Sequence, residues 1–230
     1  MQIIKSSLKS LEAKAAQLIA AKIRELSKNQ DKIVLAIPGG NSIINILKNL
    51  KDQKLNWNKV HIFMVDELLA PANKAKSNYE QAHSILLQYL IKENKIPKEN
   101  LHPYDYFNFS SQQGVEAYKN ELREISHHFH IVLLSSGEDA HVGSLFPNHN
   151  SIKNQEESFI VVDNAPKLPK KRMSASRKLI SKSKTALILF FGETKKEAYS
   201  RFLDKNLSIQ DCPAKLVNDI EDSYVFTDLK

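Results

Sequence analysis

Apolar residues recur at three- and four-residue spacing through Leu8, Leu11, Ala15, Leu18, Ile19, Ile23 and Leu26. That spacing places one buried stripe on a long amphipathic helix, which Ser6 or Ser7 can cap. The period then changes. Ile33-Val34-Leu35-Ala36-Ile37 is an unbroken apolar run closed by Pro38-Gly39-Gly40, the pattern of a buried strand meeting a turn. Helical spacing resumes at Ile43, Ile44, Leu47 and Leu50. The alternation continues with a strand over 60–65, a helix within 77–93 that turns Ala82, Ile85, Leu86 and Leu90 inward, a helix over 113–125 and a strand over 131–134. Beyond it the pattern predicts a strand at 159–162, a helix at 176–181, a strand at 186–191, a helix at 194–203 and a short strand at 224–226. Strands alternating with helices need crossover connections. The predicted fold is therefore α/β, a mostly parallel open sheet with helices on both faces. No repeat, linker or low-complexity tract interrupts the pattern, so residues 1–230 read as a single domain.

Composition narrows the class. Hydrophobic residues make up 42% of the chain, too many for a disordered protein. The single cysteine, Cys212, excludes an internal disulfide and a cysteine-based zinc cluster and fits a reducing compartment. No signal-peptide pattern opens the chain, and no run approaches the ~18 apolar residues of a membrane span. The expectation is a cytoplasmic protein without a membrane partner. The net charge of +7 admits nucleic acid, an anionic membrane or a small anionic substrate. The lysines are dispersed, as at Lys48, Lys51, Lys54 and Lys59, and no aromatic side chains interleave with them as a base-stacking platform needs. The expected partner is a small anion and not nucleic acid.

Five of the six glycines, Gly39, Gly40, Gly137, Gly143 and Gly192, fall in the segments that follow predicted strands. In open parallel sheets ligands bind beyond the carboxyl ends of strands. The same places carry polar groups. Gly39-Gly40-Asn41-Ser42 opens a helix with free amides and a hydroxyl, an anion seat without the spacing or lysine of a Walker loop. Asp66 and Glu67 follow Val65. His141, two residues beyond Asp139 in a glycine-bearing loop, is a candidate general base. His127, His128 and His130 sit at the start of a strand and read as surface or structural residues, not metal ligands.

Gly137-Glu138-Asp139-Ala140-His141-Val142-Gly143-Ser144-Leu145-Phe146-Pro147 resembles the Gly-x-Asp-Gly-His-Thr-Ala-Ser-Leu-Phe-Pro loop of the 6-phosphogluconolactonases. Ala36 to Ser42 resembles that family's first Ser-Gly-Gly-Ser/Thr turn, and Asp66-Glu67 with Ser77-Asn78-Tyr79 its Asp-Glu-Arg and Ser-Asn-Tyr block. Pro166 to Ser174 is similar to its Pro-rich segment ending Arg-Ile-Thr. Gly192 to Lys195 is similar to Gly-x-x-Lys, and Pro213-Ala214 with Phe226-x-Asp228 to its closing segment.

The resemblance implies a Rossmann-like sheet of the kind found in glucosamine-6-phosphate deaminases, no metal and no organic cofactor. It also implies hydrolysis of 6-phosphogluconolactone by a water that His141 activates. Asp139 or Glu67 would orient the histidine or the water. Gly39, Gly40, Asn41, Ser42, Asp66, Asn78, Arg172 and Lys195 would bind the substrate, with Arg172 and Lys195 as candidates for its phosphate. The expected oligomeric state is a monomer or a weak homodimer. Ser144-Leu145-Phe146-Pro147 favours a lactonase over the rival deaminase, in which Asp66 would move a proton between carbons. Three departures stand out: Leu68 where the family has the arginine of Asp-Glu-Arg, Ala140 where it has glycine, and Ser135 in place of another glycine. Lys74 or Lys76 could replace the missing cation, and a basic binding protein without catalysis is the remaining alternative.

Overall fold

The computed structural model describes residues 1–69, 77–105 and 110–230, so Lys74 and Lys76 lie outside the described residues. The strands are β1 (Gln2–Lys5), β2 (Ile33–Ile37), β3 (Val60–Met64), β4 (Asp66–Leu68), β5 (Leu101–His102), β6 (Ile131–Ser135), β7 (Phe159–Val162), β8 (Arg172–Ala175), β9 (Thr185–Phe190) and β10 (Asp222–Thr227). Seven of them form one sheet in the order β1-β10-β9-β6-β2-β3-β5, with every pairing parallel. β2, β3 and β9 are buried along their whole length, as their continuous apolar runs require when both faces are covered.

The covering helices are α1 (Leu8–Leu26), α2 (Ile44–Lys51), α3 (Asn78–Ala82), α4 (Gln88–Lys92), α5 (Ser111–Ile125), α6 (Asn150–Lys153), α7 (Arg177–Ser181) and α8 (Lys196–Leu203). The predicted helix within 77–93 is interrupted between α3 and α4 by a π turn, His83–Leu87. Connections from β1 to β2, β3 and β5 step along the sheet in one direction, and those from β5 to β6, β9 and β10 step back. Right-handed crossovers running in opposite directions place their helices on opposite faces. The direction reverses between β2 and β6, which are adjacent. In such sheets the crevice beyond the carboxyl ends of that strand pair is where ligands bind.

The sequence pattern needs correction at several points. Phe159–Val162 is a strand but leaves the parallel sheet: as β7 it pairs antiparallel with β8, which pairs with β4, in a separate three-stranded sheet. β1 and β5 were not predicted, because Gln2–Lys5 and Leu101–His102 are too short to show a period. β5 is extended by a side chain. The buried Tyr118 hydroxyl accepts from the Met64 amide at 2.8 Å and donates to the His102 carbonyl at 3.0 Å, bridging β3 to β5.

Two buried histidines, His61 and His130, are held neutral. His130 Nδ1 accepts the Val34 amide at 3.0 Å, a structural role in keeping with the sequence reading. Burial, reinforced by His128 and Lys184, pushes its pKa down to about 4. Burial, His102 and Lys32 likewise bring His61 down to about 4. In the unfolded chain both titrate near 6.5. The unfolded state therefore takes up protons first as pH falls. Their contribution to stability is expected to be full above pH ~6.5 and to decline between about 6.5 and about 4, by at most about 3 kcal/mol for each histidine. Chemical denaturation at pH 7.5, 6 and 4.5 measures this, and an unchanged midpoint across that series contradicts it.

Candidate functional site

A cleft of about 600 Å³ opens at the crossover reversal. Gly39, Gly40, Asn41 and Ser42 reach it from the turn after β2, Asp66 and Leu68 from β4, and Asn78 from the start of α3. His141 comes from the loop after β6, Arg172 from β8 and Lys195 from the turn after β9. Nine of the predicted site residues thus meet at one rim. Asp139 and Glu67 do not line the cleft. Asp139 contacts His141, whereas Glu67 is engaged elsewhere.

His141 Nδ1 lies 2.5 Å from Asp139 Oδ1. Burial alone would raise the Asp139 carboxyl, but the His141 hydrogen bond and charge, with Lys167, outweigh it and hold the group far below the usual carboxylate range. An ionised carboxylate only accepts, so Nδ1 carries the hydrogen, and in the neutral ring the lone pair is on Nε2. Nε2 has no partner among the described residues. This close pairing depends on Gly137: a Cβ there would fall 2.0 Å from His141 Nδ1 and 2.6 Å from Asp139 Oδ1. Phe146 backs the imidazole with ring centroids 4.7 Å apart. The loop backbone is pinned from α8 by Arg201, whose Nη1 donates to the Asp139 carbonyl at 3.2 Å, and by the Ala214 amide on the Ala140 carbonyl at 3.0 Å.

Glu67 is the point where sequence and structure part. Its oxygens accept from the amides of Leu68, Asn78 and Tyr79 and from the Ser77 hydroxyl, all at 2.8–2.9 Å. Burial raises its pKa, and those four bonds oppose the rise. It ties the start of α3 to β4 and does not reach the histidine. Asp66 faces the cleft instead. Its Oδ2 accepts from Ser144 Oγ at 2.7 Å, and Asn78 Nδ2 donates to its carbonyl at 2.8 Å. Burial raises Asp66, opposed by the Ser144 bond and by the charges of Arg172 and His141. The Asn78 side chain packs where a Gly39 Cβ would stand, 1.9 Å from its Oδ1, so only glycine fits there.

The anion seat is smaller than the sequence suggested. The Gly40 amide already donates to Gln81 Oε1 at 2.8 Å, leaving the Asn41 and Ser42 amides without a partner among the described residues. Most of the Arg172 guanidinium is also engaged: Nε donates to the Pro169 carbonyl, and Nη2 to those of Lys167 and Leu168, at 3.0–3.2 Å. Burial lowers its pKa and Asp66 opposes this. Arg172 therefore shapes the 167–169 loop and leaves Nη1 uncommitted. Lys195 is half-buried and, among the described residues, has no carboxylate within 4.0 Å. Burial lowers its pKa, with Glu138 and Asp139 opposing and Lys167 adding to the fall.

Sequence reasoning missed Lys167, which lines the cleft with Nζ 3.4 Å from Asp139 Oδ1, and the holding roles of Ser144, Gln81 and Arg201. Lys167 lay within a quoted motif, but nothing in that motif points its side chain at Asp139. Ser144, Gln81 and Arg201 act across 78, 41 and 62 residues, and no local pattern records such pairs. Among the described residues no three His, Cys, Asp or Glu side chains converge as metal ligands, and no helix is long and apolar enough to cross a membrane.

Residues 6–226 match the family described as glucosamine-6-phosphate isomerases/6-phosphogluconolactonase, and the chain belongs to that family. It is 32% identical over 206 residues to the 6-phosphogluconolactonase of Borreliella burgdorferi, covering 89% of this chain and 88% of that one. It is 28% identical over 177 residues, 77% of each chain, to the 6-phosphogluconolactonase of Thermotoga maritima. Among solved structures, the fold resembles the T. maritima 6-phosphogluconolactonase with a TM-score of 0.81 over 98% of this chain and 96% of that one, at 24% identity. It resembles a monomeric glucosamine-6-phosphate deaminase equally well, with a TM-score of 0.82 over 99% and 97% at 18% identity.

Ala140, fully buried, has φ +68°, the left-handed region that the family's glycine adopts freely. An alanine there costs about 1–2 kcal/mol. Ala140→Gly relieves this but loosens the unfolded chain, which offsets roughly 0.4–1 kcal/mol. The variant is expected to melt about 1–3 °C higher. A melting temperature equal to or below that of the parent shows the strain is absorbed elsewhere.

Proposed function

We propose that this chain hydrolyses 6-phospho-D-glucono-1,5-lactone to 6-phosphogluconate in the cytoplasm, using a water activated by His141 and no nucleic-acid partner. The observation that carries the reading is the Asp139–His141 pair, whose Nε2 lone pair belongs to a cleft that also holds Lys167, Lys195 and Arg172. His141 Nε2 takes a proton from water as the oxygen adds to the lactone carbonyl carbon. The tetrahedral intermediate collapses, breaking the bond from that carbon to the ring oxygen. The imidazolium then returns its proton to the departing oxygen, leaving the carboxylic acid, which ionises. Asp139 holds the ring orientation and offsets the transient charge. A general base of this kind contributes ~10²–10⁴-fold, which suits a lactone, an ester already reactive.

The phosphate dianion is held by Lys195, with Arg172 Nη1 and the Asn41 and Ser42 amides, since charge-assisted bonds of this type bind phosphate oxygens well. Asp66 and Asn78 meet the sugar hydroxyls. The 32% identity to a relative named 6-phosphogluconolactonase, together with Ser144-Leu145-Phe146-Pro147, favours the lactonase over the deaminase of similar fold.

A coupled assay with freshly generated lactone, corrected for spontaneous opening, is expected to show hydrolysis. Ammonia release from glucosamine 6-phosphate would assign the deaminase reaction instead. His141→Ala is expected to lower kcat by ~10²–10⁴-fold with the melting temperature kept, and near-parental turnover rules out the base. Lys195→Met is expected to raise KM roughly 10-fold or more with kcat within a few-fold. An unchanged KM removes Lys195 from the phosphate seat.

A further inference from the structure

Asp139 Oδ1 has two claimants. His141 Nδ1 approaches it at 2.5 Å and Lys167 Nζ at 3.4 Å, and the ammonium also lines the cleft. We infer that Lys167 is a positioning residue that tunes the base through Asp139: while it sits on the shared oxygen it weakens the carboxylate's hold on the imidazolium, and a substrate dianion that draws the ammonium away restores it. The inference rests on the lactonase reading for its substrate, and on the geometry of the shared oxygen for its mechanism.

The charges around the pair leave Lys167 as the movable one. From its own loop His141 has Asp139 and Glu138. Asp66 approaches from β4, Arg172 from β8, Lys195 from the turn after β9 and Arg201 from α8. Arg172 and Arg201 are fixed by backbone carbonyls, and Asp66 by Ser144. Lys167 is different: its side chain is 44% exposed, and its only polar side-chain partner among the described residues is Asp139. An exposed pair of that length is weak, so a doubly charged phosphate in the same cleft competes for the ammonium successfully. The loop keeps its shape meanwhile, because Arg172 holds the carbonyls of 167–169 and not the Lys167 side chain.

The sign follows from the charges. A nearby cation disfavours the imidazolium, so removing it makes the histidine more basic. In Lys167→Met the acid limb of kcat/KM is expected to move to higher pH by about half a unit or more, and Lys167→Arg to restore it. In the parent protein the acid limb of kcat, which reports the occupied site, is expected above that of kcat/KM. In Lys167→Met the gap narrows. A lysine that only binds phosphate would change KM and leave both limbs in place, as would one that only supports the loop. Either result overturns the inference. NMR titration of the His141 imidazole in the parent and in Lys167→Met, without substrate, gives the same comparison independently of turnover. If no lactone is hydrolysed, the proposed function fails while the titration still decides the coupling: a midpoint unmoved by the substitution refutes it.

Discussion

Two adjacent carboxylates, Asp66 and Glu67, are buried at the point where the chain leaves β3, and the rim of the cleft is assembled around them. Burying one carboxylate is costly unless donors surround it, and here two lie side by side. Glu67 gathers three amides and a hydroxyl, which fixes the start of α3 against β4. Asp66 takes the Ser144 hydroxyl and the Asn78 side-chain Nδ2, joining the loop after β6 to the same place. Asn78 in turn occupies the space left by the missing Gly39 side chain. Segments separated by dozens of residues therefore share one polar knot, and the histidine loop is among them.

The departures from the family pattern read differently once this knot is in view. Leu68 stands opposite Arg172 in the β4–β8 pair, so their side chains share one face of the small sheet. An arginine at Leu68 would bring two like charges together there. With leucine in place, Arg172 is the only cation of that pair, and Lys167 and Lys195 supply positive charge from other loops. The alanine at 140 is tolerated in an unfavourable conformation because the loop is held at both of its neighbouring carbonyls, Asp139 by Arg201 and Ala140 by Ala214.

The parallel core was legible in the sequence because burial on both faces writes itself as apolar runs such as Ile33–Ile37 and Ile131–Leu134. The placement of β7 was not. Four apolar residues bounded by polar ones look alike in a parallel core and in an antiparallel flank, and only their partner β8 distinguishes them. At the site, residue types and loop positions announced His141, Asp139 and Asp66. Direction was hidden: Asp66 and Glu67 are neighbours on a strand, and which one turns to the cleft depends on the pleat and on donors from Ser77 to Tyr79. The commitments of Gly40 to Gln81 and of Arg172 to the 167–169 carbonyls were likewise invisible, because both are tertiary contacts of groups that read as free.

β10 lies between β1 and β9, yet it follows every other strand in the chain. Until it arrives, β1 has nothing to pair with and β9 presents an open edge. On a ribosome the N-terminal strand must therefore wait, unzipped, through the synthesis of more than 200 residues that separate Lys5 from Asp222. Closing so distant a contact is slow compared with local helix formation. That side of the sheet is then completed when β10 enters between β1 and β9, after the cleft-bearing strands have been made.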